Sequence, residues 1–333
     1  KALELFMKLI SRKIDWGFTS LRSIIYPTPE YLEKIHVDKR EVSGLRTGFK
    51  DLDKMTDGLQ PSELIILASR PSMGKTALAL NIAEHVGMNE KKAVAIFSPA
   101  ITKEVLMHRL LCSAARVNAH NARQGFINKQ NWSKLTATAV KLSKASIYID
   151  DSSSINVLGI GVRARRLAPE LKVQGKELSL IIIDHIQAIR GLDRVESRQQ
   201  EMSDITRSLK GLARYLNVPV LALSEIPREP LELPEEEGRR GRPELSDLRQ
   251  SGVIEQDADV VAFIYREGYY KRGYPDMEKS ATLILAKQRN GVTGDILLTF
   301  QREYTRFETF NPSEKELKKL ERWYKKQQRI SEV

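Results

Sequence analysis

The stretch "LIILASRPSMGKTALALNIA", residues 64–83, constrains the fold more than any other part of the chain. Six residues suited to a buried strand run into a short polar loop, and the loop runs into an apolar helix. Gly74 has no side chain, so the backbone can approach a phosphate closely, and amides at a helix N-terminus point at such an anion. Lys75 is placed to reach β- and γ-phosphates and the Thr76 hydroxyl to bind Mg²⁺. The strict form of this loop also carries a glycine where this chain has Ser69. The strand and helix that flank the loop still identify it as a phosphate-binding loop.

A strand–loop–helix unit of this kind belongs in a parallel sheet, and the rest of the chain supplies one. From residue 63 onward, "ELIILA", "AVAIF", "SIYI", "LSLIIID", "VPVLALS", "DVVAFIY", "ATLILA" and "DILLTF" are mostly continuous apolar runs. Such strands are buried on both faces under helices. The last of them follow one another without intervening helices, which predicts antiparallel hairpins at one side of the sheet. Among the helices, residues 202–216 place Met202, Ile205, Leu209, Leu212, Ala213 and Leu216 on one face, with Asn217 as a stop. The expected class is therefore α/β, with a mostly parallel sheet covered by helices.

The N-terminal segment 1–44 reads as short helices broken at "YPTPEY", a linker whose apolar face (Leu3, Phe6, Met7, Ile10) needs a body or a second subunit to rest on. The segment 225–252 is rich in proline, glycine and charge and reads as a surface loop, where binding residues also reside. After residue 311, Ser313 and Glu316 stand at capping-box spacing before a basic amphipathic helix.

Composition narrows the class further. No apolar run approaches the ~18 residues of a membrane span, and the N-terminus shows no signal-peptide cleavage pattern. Cys112 is the single cysteine, which excludes an intrachain disulfide and fits a reducing cytoplasm; its setting "LLCSAA" makes it a core residue. The net charge of +11 suits a polyanionic partner such as nucleic acid and equally suits solubility alone.

A nucleotide hydrolase needs a carboxylate at the end of another core strand to hold hydrated metal, and Asp184 ends "LSLIIID". Lys287 and Arg289, two residues apart in "ATLILAKQRNG", project from one strand face. A solvated edge strand would look the same, as would a pair of cations aimed at a neighbouring subunit's γ-phosphate.

The order "RTGFKDLDKMTDGL", "SRPSMGKTALALNIA", "LLCSAARV", "IYIDD", "IIIDHIQ", "RQQEMSDITRSLKGLARYLNVPVLALS", "LRQSGVIEQDADVVAFIYR" and "AKQRNG" resembles the C-terminal motor of DnaB-type replicative helicases over about residues 40–310. The resemblance implies a RecA-like P-loop NTPase domain over 45–310, a linker helix over 1–44 and a basic tail over 311–333. The family's separate N-terminal helical domain has no counterpart in this sequence. A six-membered ring with ATP between subunits, moving 5′ to 3′ on single-stranded DNA, is also implied, with a loader and a primase as partners. On that pattern Lys75, Thr76 and Asp184 hold MgATP, with Thr76 and Asp184 toward the metal. Ser72, Met73, Gly74 and Ala77 complete the cis nucleotide set, and Lys287 and Arg289 reach across the interface. Arg249, Gln250 and Gly252 fall on the DNA loop, and the absence of aromatics there favours contact with the phosphate backbone over base stacking.

The chain departs from the family in four places. "FSLEM" becomes "FSPAI", which puts Ala100 where the water-activating carboxylate is expected. "SQLSR" becomes "SEIPR", giving Glu225 for a sensor glutamine and Pro227 for a serine. "RES-G" becomes "RQSG", with Gln250 for an acid, and "DYLQ" becomes "DHIQ", with His185 expected to alternate away from Asp184 as a packing variant. Loss of a positioned base costs about 10²–10⁴ in rate. Two readings follow: an active helicase, or a hydrolysis-poor paralogue that binds ATP as a ring on DNA. Glu225 ends a strand and is one place to which the acid could have relocated; Glu104 is a weaker one. The candidate catalytic set is thus Lys75, Asp184, Glu225 and Arg289.

Overall fold

A computed structural model of the chain describes residues 42–191, 197–226, 242–249, 254–270 and 279–311, together with Ser20, Leu21 and Ile25. The linker helices expected before residue 42, the basic tail after 311, Pro227, Gln250 and Gly252 lie outside the described residues. The chain divides into two compact units, Lys1–Ser43 and Gly44–Val333, and the second is the one described below.

All eight strands read from the apolar runs form, and a ninth joins them: β1 (Leu64–Ser69), β2 (Ala93–Phe97), β3 (Ile147–Asp150), β4 (Leu178–Ile183), β5 (Val220–Glu225), β6 (Val260–Tyr265), β7 (Ser280–Gln288), β8 (Gly294–Gln301) and β9 (Arg306–Thr309). They make one sheet in the order β3-β2-β4-β5-β1-β6-β7-β8-β9. The six from β3 to β6 are parallel, and β7, β8 and β9 continue as antiparallel neighbours, as the lack of helices between them predicts. β9 went unread because "RFET" is four residues long with one large apolar side chain.

The continuous apolar runs are explained by two cores, one on each side of the sheet. Side chains alternate along a strand, so Ile65 and Leu67 of β1 enter one core while Leu64, Ile66 and Ala68 enter the other. The described helices are α1 (Lys50–Thr56), α2 (Lys75–Glu84), α3 (Lys103–Ala115), α4 (Ala119–Arg123), α5 (Lys129–Leu142), α6 (Val157–Val173), α7 (Arg198–Leu216), α8 (Leu245–Arg249), α9 (Ile254–Asp257) and α10 (Glu267–Tyr270). Leu78 and Ile82 of α2 cover the first core; Ile160 and Ala164 of α6 and Ile205 and Leu209 of α7 cover the second.

Helix α7 buries Met202, Ile205, Leu209, Leu212 and Ala213 and stops at Asn217 in a left-handed conformation (φ 54°), whose N–H returns to the Ala213 and Arg214 carbonyls. Cys112 is 1% exposed in a satellite cluster with Ala115, Val117 and Leu135, so it is a core residue as expected. Burial pushes its thiol up from the ordinary value. No described helix is long and apolar enough to cross a membrane.

Candidate functional site

In a parallel sheet the chain leaves each strand at the same edge, and ligands bind outside those carboxyl ends. Here that edge collects the loop 70–74 after β1, Asp184 after β4 and Glu225 at the end of β5. The strand order β4-β5-β1 sets β5 between the other two.

The loop turns through Ser72 (φ 68°) and Gly74 (φ 106°), the two left-handed residues it contains. Gly74 is required twice over. A Cβ there would adopt a disfavoured backbone and lie 2.8 Å from the Phe307 ring. Ser69, where the strict motif has glycine, keeps an ordinary φ, and its hydroxyl donates to the Arg70 carbonyl at 2.8 Å. The substitution is tolerated because the sharp turn lies further along. Met73 is 2% and Ala77 5% exposed, both packed in the core. What these two can offer a phosphate is their backbone amides.

Lys75 is 7% exposed, and its ammonium donates to the Ser69 carbonyl (3.2 Å) and hydroxyl (3.3 Å) while Glu225 Oε1 lies 3.6 Å away. Burial lowers its pKa, and the charges of Glu225 and Asp184 oppose that shift. Thr76 donates its hydroxyl to Asp184 Oδ2 at 2.9 Å. Asp184 is 3% exposed; burial raises its pKa against the pull of Thr76, His185, Lys75 and Arg109. Its amide donates to the Phe97 carbonyl at 2.8 Å, which fixes the end of β4 beside the turn after β2.

The hydroxyl and carboxylate oxygens of Thr76 and Asp184 form a hard donor pair. Among the described residues no three His, Cys, Asp or Glu side chains converge on a metal site. Two protein oxygens plus phosphates and waters are how Mg²⁺ is commonly held, so the residues present fit a magnesium nucleotide.

His185 is half-buried with its Nδ1 unpartnered, and it does not share the Thr76 bond of its neighbour. The turn that carries Ala100 leaves β2, one strand beyond β4 and away from β1, and Ala100 itself is exposed. Glu104 is exposed in the first turn of α3.

Gln187 was not singled out from the sequence. Its amide nitrogen donates to Ser224 Oγ (2.9 Å) and the Glu225 carbonyl (3.1 Å), and its amide oxygen accepts from the Glu225 N–H (3.2 Å). Its position three residues after Asp184 in "DHIQ" was the available signal. Phe307 was also missed; its N–H donates to Asn81 Oδ1 at 2.8 Å, tying β9 to α2.

Lys287 and Arg289 lie elsewhere. β7 runs antiparallel to β6, with Lys287 opposite Val261, and the Arg289 amide donates to the Asp259 carbonyl just before β6. They stand at the amino edge of the parallel strands, while Lys75 stands at the carboxyl edge. Arg289 is level with Leu64 and five residues from Ser69, roughly 17 Å along the sheet at ~3.3 Å per residue. Lys287 donates to the Glu255 (2.5 Å) and Ala258 (2.8 Å) carbonyls, and Arg289 to the Gln256 carbonyl (2.6 Å) with Asp259 Oδ1 at 3.6 Å. Both therefore turn to one side, as the spacing predicts, and neither meets the chain's own phosphate loop. Burial and the neighbouring Arg289 charge lower the Lys287 pKa, with Glu255, Asp259 and Asp257 opposing. Of the DNA-loop candidates, the backbone of Arg249 ends α8.

Comparison with known proteins agrees with this arrangement. Residues 44–309 match the model of the DnaB-like helicase C-terminal domain. The chain is 45% identical over 302 residues to the replicative DNA helicase DnaB of Geobacillus stearothermophilus, covering 90% of this chain and 64% of that protein. It is 42% identical over 308 residues to the replicative DNA helicase DnaC of Bacillus subtilis, covering 92% and 65%. The chain thus spans just under two thirds of the length of these curated relatives. Among solved structures, an ATPase domain solved by itself superposes with a TM-score of 0.79 at 32% identity, over 89% of this chain and all of that one. A DnaB-like replicative helicase, described with its interactions with primase, superposes at 0.77 and 32% identity, over 93% and 71%. The fold is RecA-like, and by family match, identity and structure alike the chain belongs to the DnaB-like helicase C-terminal domain family.

Proposed function

We propose that this chain is the ATP-driven motor of a ring-forming replicative DNA helicase that moves along single-stranded DNA. The observation that carries the reading is the split site. Lys75, Thr76 and Asp184 converge at one edge of the sheet, while Lys287 and Arg289 stand at the other. Two cations that cannot serve their own phosphate loop can serve the loop of a neighbour placed head to tail. A head-to-tail interface closes into a ring, and a sixfold ring is the form the family resemblance implies.

Within one subunit, Ser72 to Thr76 would wrap the phosphates with backbone amides, Lys75 would move from Ser69 to the β- and γ-oxygens, and Ala77 would add the amide at the helix start. Magnesium, held by Thr76 and through Asp184, supplies charge neutralisation on the phosphates. Arg289 and Lys287 of the next subunit would bind the γ-phosphate and neutralise charge that develops in the transition state. Arg249, Gln250 and Gly252 would face the DNA backbone, in keeping with the net charge of +11. Primase interaction is a property of one structural relative, and the reading extends a primase and a loader to this chain as partners, in the cytoplasm.

The test combines nucleotide binding, ATP turnover with and without single-stranded DNA, and unwinding of a forked duplex. DNA-stimulated turnover with unwinding supports the motor, and Lys75→Ala should abolish nucleotide binding. Tight ATP binding with no turnover would replace the motor by the hydrolysis-poor ring.

A further inference from the structure

We infer that Glu225 is the water-activating acid of this site, positioned by Gln187 and paired with Lys75 until nucleotide draws the lysine away. The inference rests on the nucleotide-site reading above and assigns the one role that reading leaves vacant.

Hydrolysis needs a group that accepts a proton from the attacking water close to the γ-phosphorus. Asp184 is committed to Thr76 and the metal. Ala100 has no acid, and Glu104 is exposed at the start of α3. The carboxylates whose charge bears on the Lys75 ammonium are Glu225 and Asp184. Lys75 is also the group that marks where the γ-phosphate sits.

Sheet order makes Glu225 the better placed of the strand-end positions. β5 pairs directly with β1 in a register that sets Glu225 beside Ser69, about 4.8 Å away across the strands. Ala100 follows β2, with β4 and β5 between it and β1. Glu225 Oε1 lies 3.6 Å from Lys75 Nζ, and its side chain is 43% exposed, so water reaches it. Gln187 bonds both the N–H and the carbonyl of Glu225 and the Ser224 hydroxyl. The Ile226 amide donates to the Ser69 carbonyl at 3.0 Å. The strand end is thereby held on both sides, which a proton-transfer group requires.

In the step itself, Glu225 takes a proton from water as the water oxygen bonds to the γ-phosphorus. The bond from that phosphorus to the β,γ-bridging oxygen breaks, and its electron pair leaves on ADP. The proton on Glu225 then passes to phosphate or solvent, which restores the carboxylate. Before nucleotide arrives, the Lys75–Glu225 pair keeps the acid occupied, so activation is tied to filling of the loop.

Glu225→Gln keeps the shape and removes the base. With single-stranded DNA present, kcat should fall about 10²–10⁴-fold, and Ala100→Glu added to that variant should restore part of it. Affinity for a fluorescent ATP analogue should rise on the order of fivefold, because a carboxylate that competes for Lys75 and repels the triphosphate is gone. Gln187→Leu should lower kcat about 10- to 100-fold with nucleotide affinity unchanged, whereas mere loss of structure would lower both. Wild-type turnover in Glu225→Gln overturns the inference. So does an unaltered chain that binds MgATP without turning it over, although the nucleotide site then stands. An unaltered chain that binds no nucleotide would instead remove the proposed function beneath it.

Discussion

At the scale of single residues, the site is held by conformations that one atom can upset. Gly74 sits at φ 106° with the Phe307 ring where a Cβ would go. Gly74→Ala should destabilise the domain by about 1–3 kcal/mol, measured by urea unfolding. In a Phe307→Ala background the added cost of Gly74→Ala should shrink, because the clash disappears while the backbone strain stays. Glu63 gives a pH signature away from the nucleotide. Burial raises its pKa, Asp259 adds to the rise, and Lys210, Asn290 and Arg289 oppose it. A raised folded value means the folded state holds more protons than the unfolded one between the two pKa values. Stability from this group is therefore full below the unfolded value, ~4.3, and falls as pH rises through the folded value. Thermal unfolding of Glu63→Gln across pH 4 to 7 should show that part of the fall removed.

At the scale of elements, β9 is a short strand with a large effect. Phe307 is 1% exposed and packs on Phe300 at 4.6 Å between ring centroids. Its backbone is bonded to Asn81, and Arg306 donates to Glu84 of the same helix at 2.7 Å. The antiparallel end of the sheet is thus fastened to the helix that begins with Lys75. Phe307→Ala should cost about 3–5 kcal/mol by urea unfolding. It should also weaken nucleotide binding, because the ring supports the backbone at Gly74. Helix α7 shows the opposite case. Its face, length and stop were all readable, since an amphipathic period and an αL-competent Asn217 are local signals.

At the scale of the whole molecule, the two halves of the site belong to opposite edges of one sheet. That arrangement predicts complementation. Arg289→Ala alone should lower turnover by about 10³-fold or more while nucleotide binding persists, and Lys75→Ala alone should lose binding. In rings assembled from a mixture of the two variants, some interfaces pair an intact loop with an intact Arg289, and DNA-stimulated turnover should reappear there. If turnover in the mixture stays at the level of the separate variants, the cations do not act between subunits.

The sequence by itself determined the parts whose information is local or periodic. Eight strands, their burial on both faces, the parallel-then-antiparallel order, the phosphate loop and Asp184 could all be read, because period, turn chemistry and charge at a strand end are written in neighbouring residues. The family match is likewise a property of motif order. Only tertiary structure decided that β5 lies between β1 and β4. That order brings Glu225 to Lys75 and lets Gln187 hold it, while Ala100 is left further away. It also decided that Lys287 and Arg289 turn onto the Glu255–Asp259 backbone at the far edge, and that a four-residue strand carries the ring that closes over Gly74. Contacts between residues a hundred or more apart depend on strand order and register, and no local pattern in the chain encodes either.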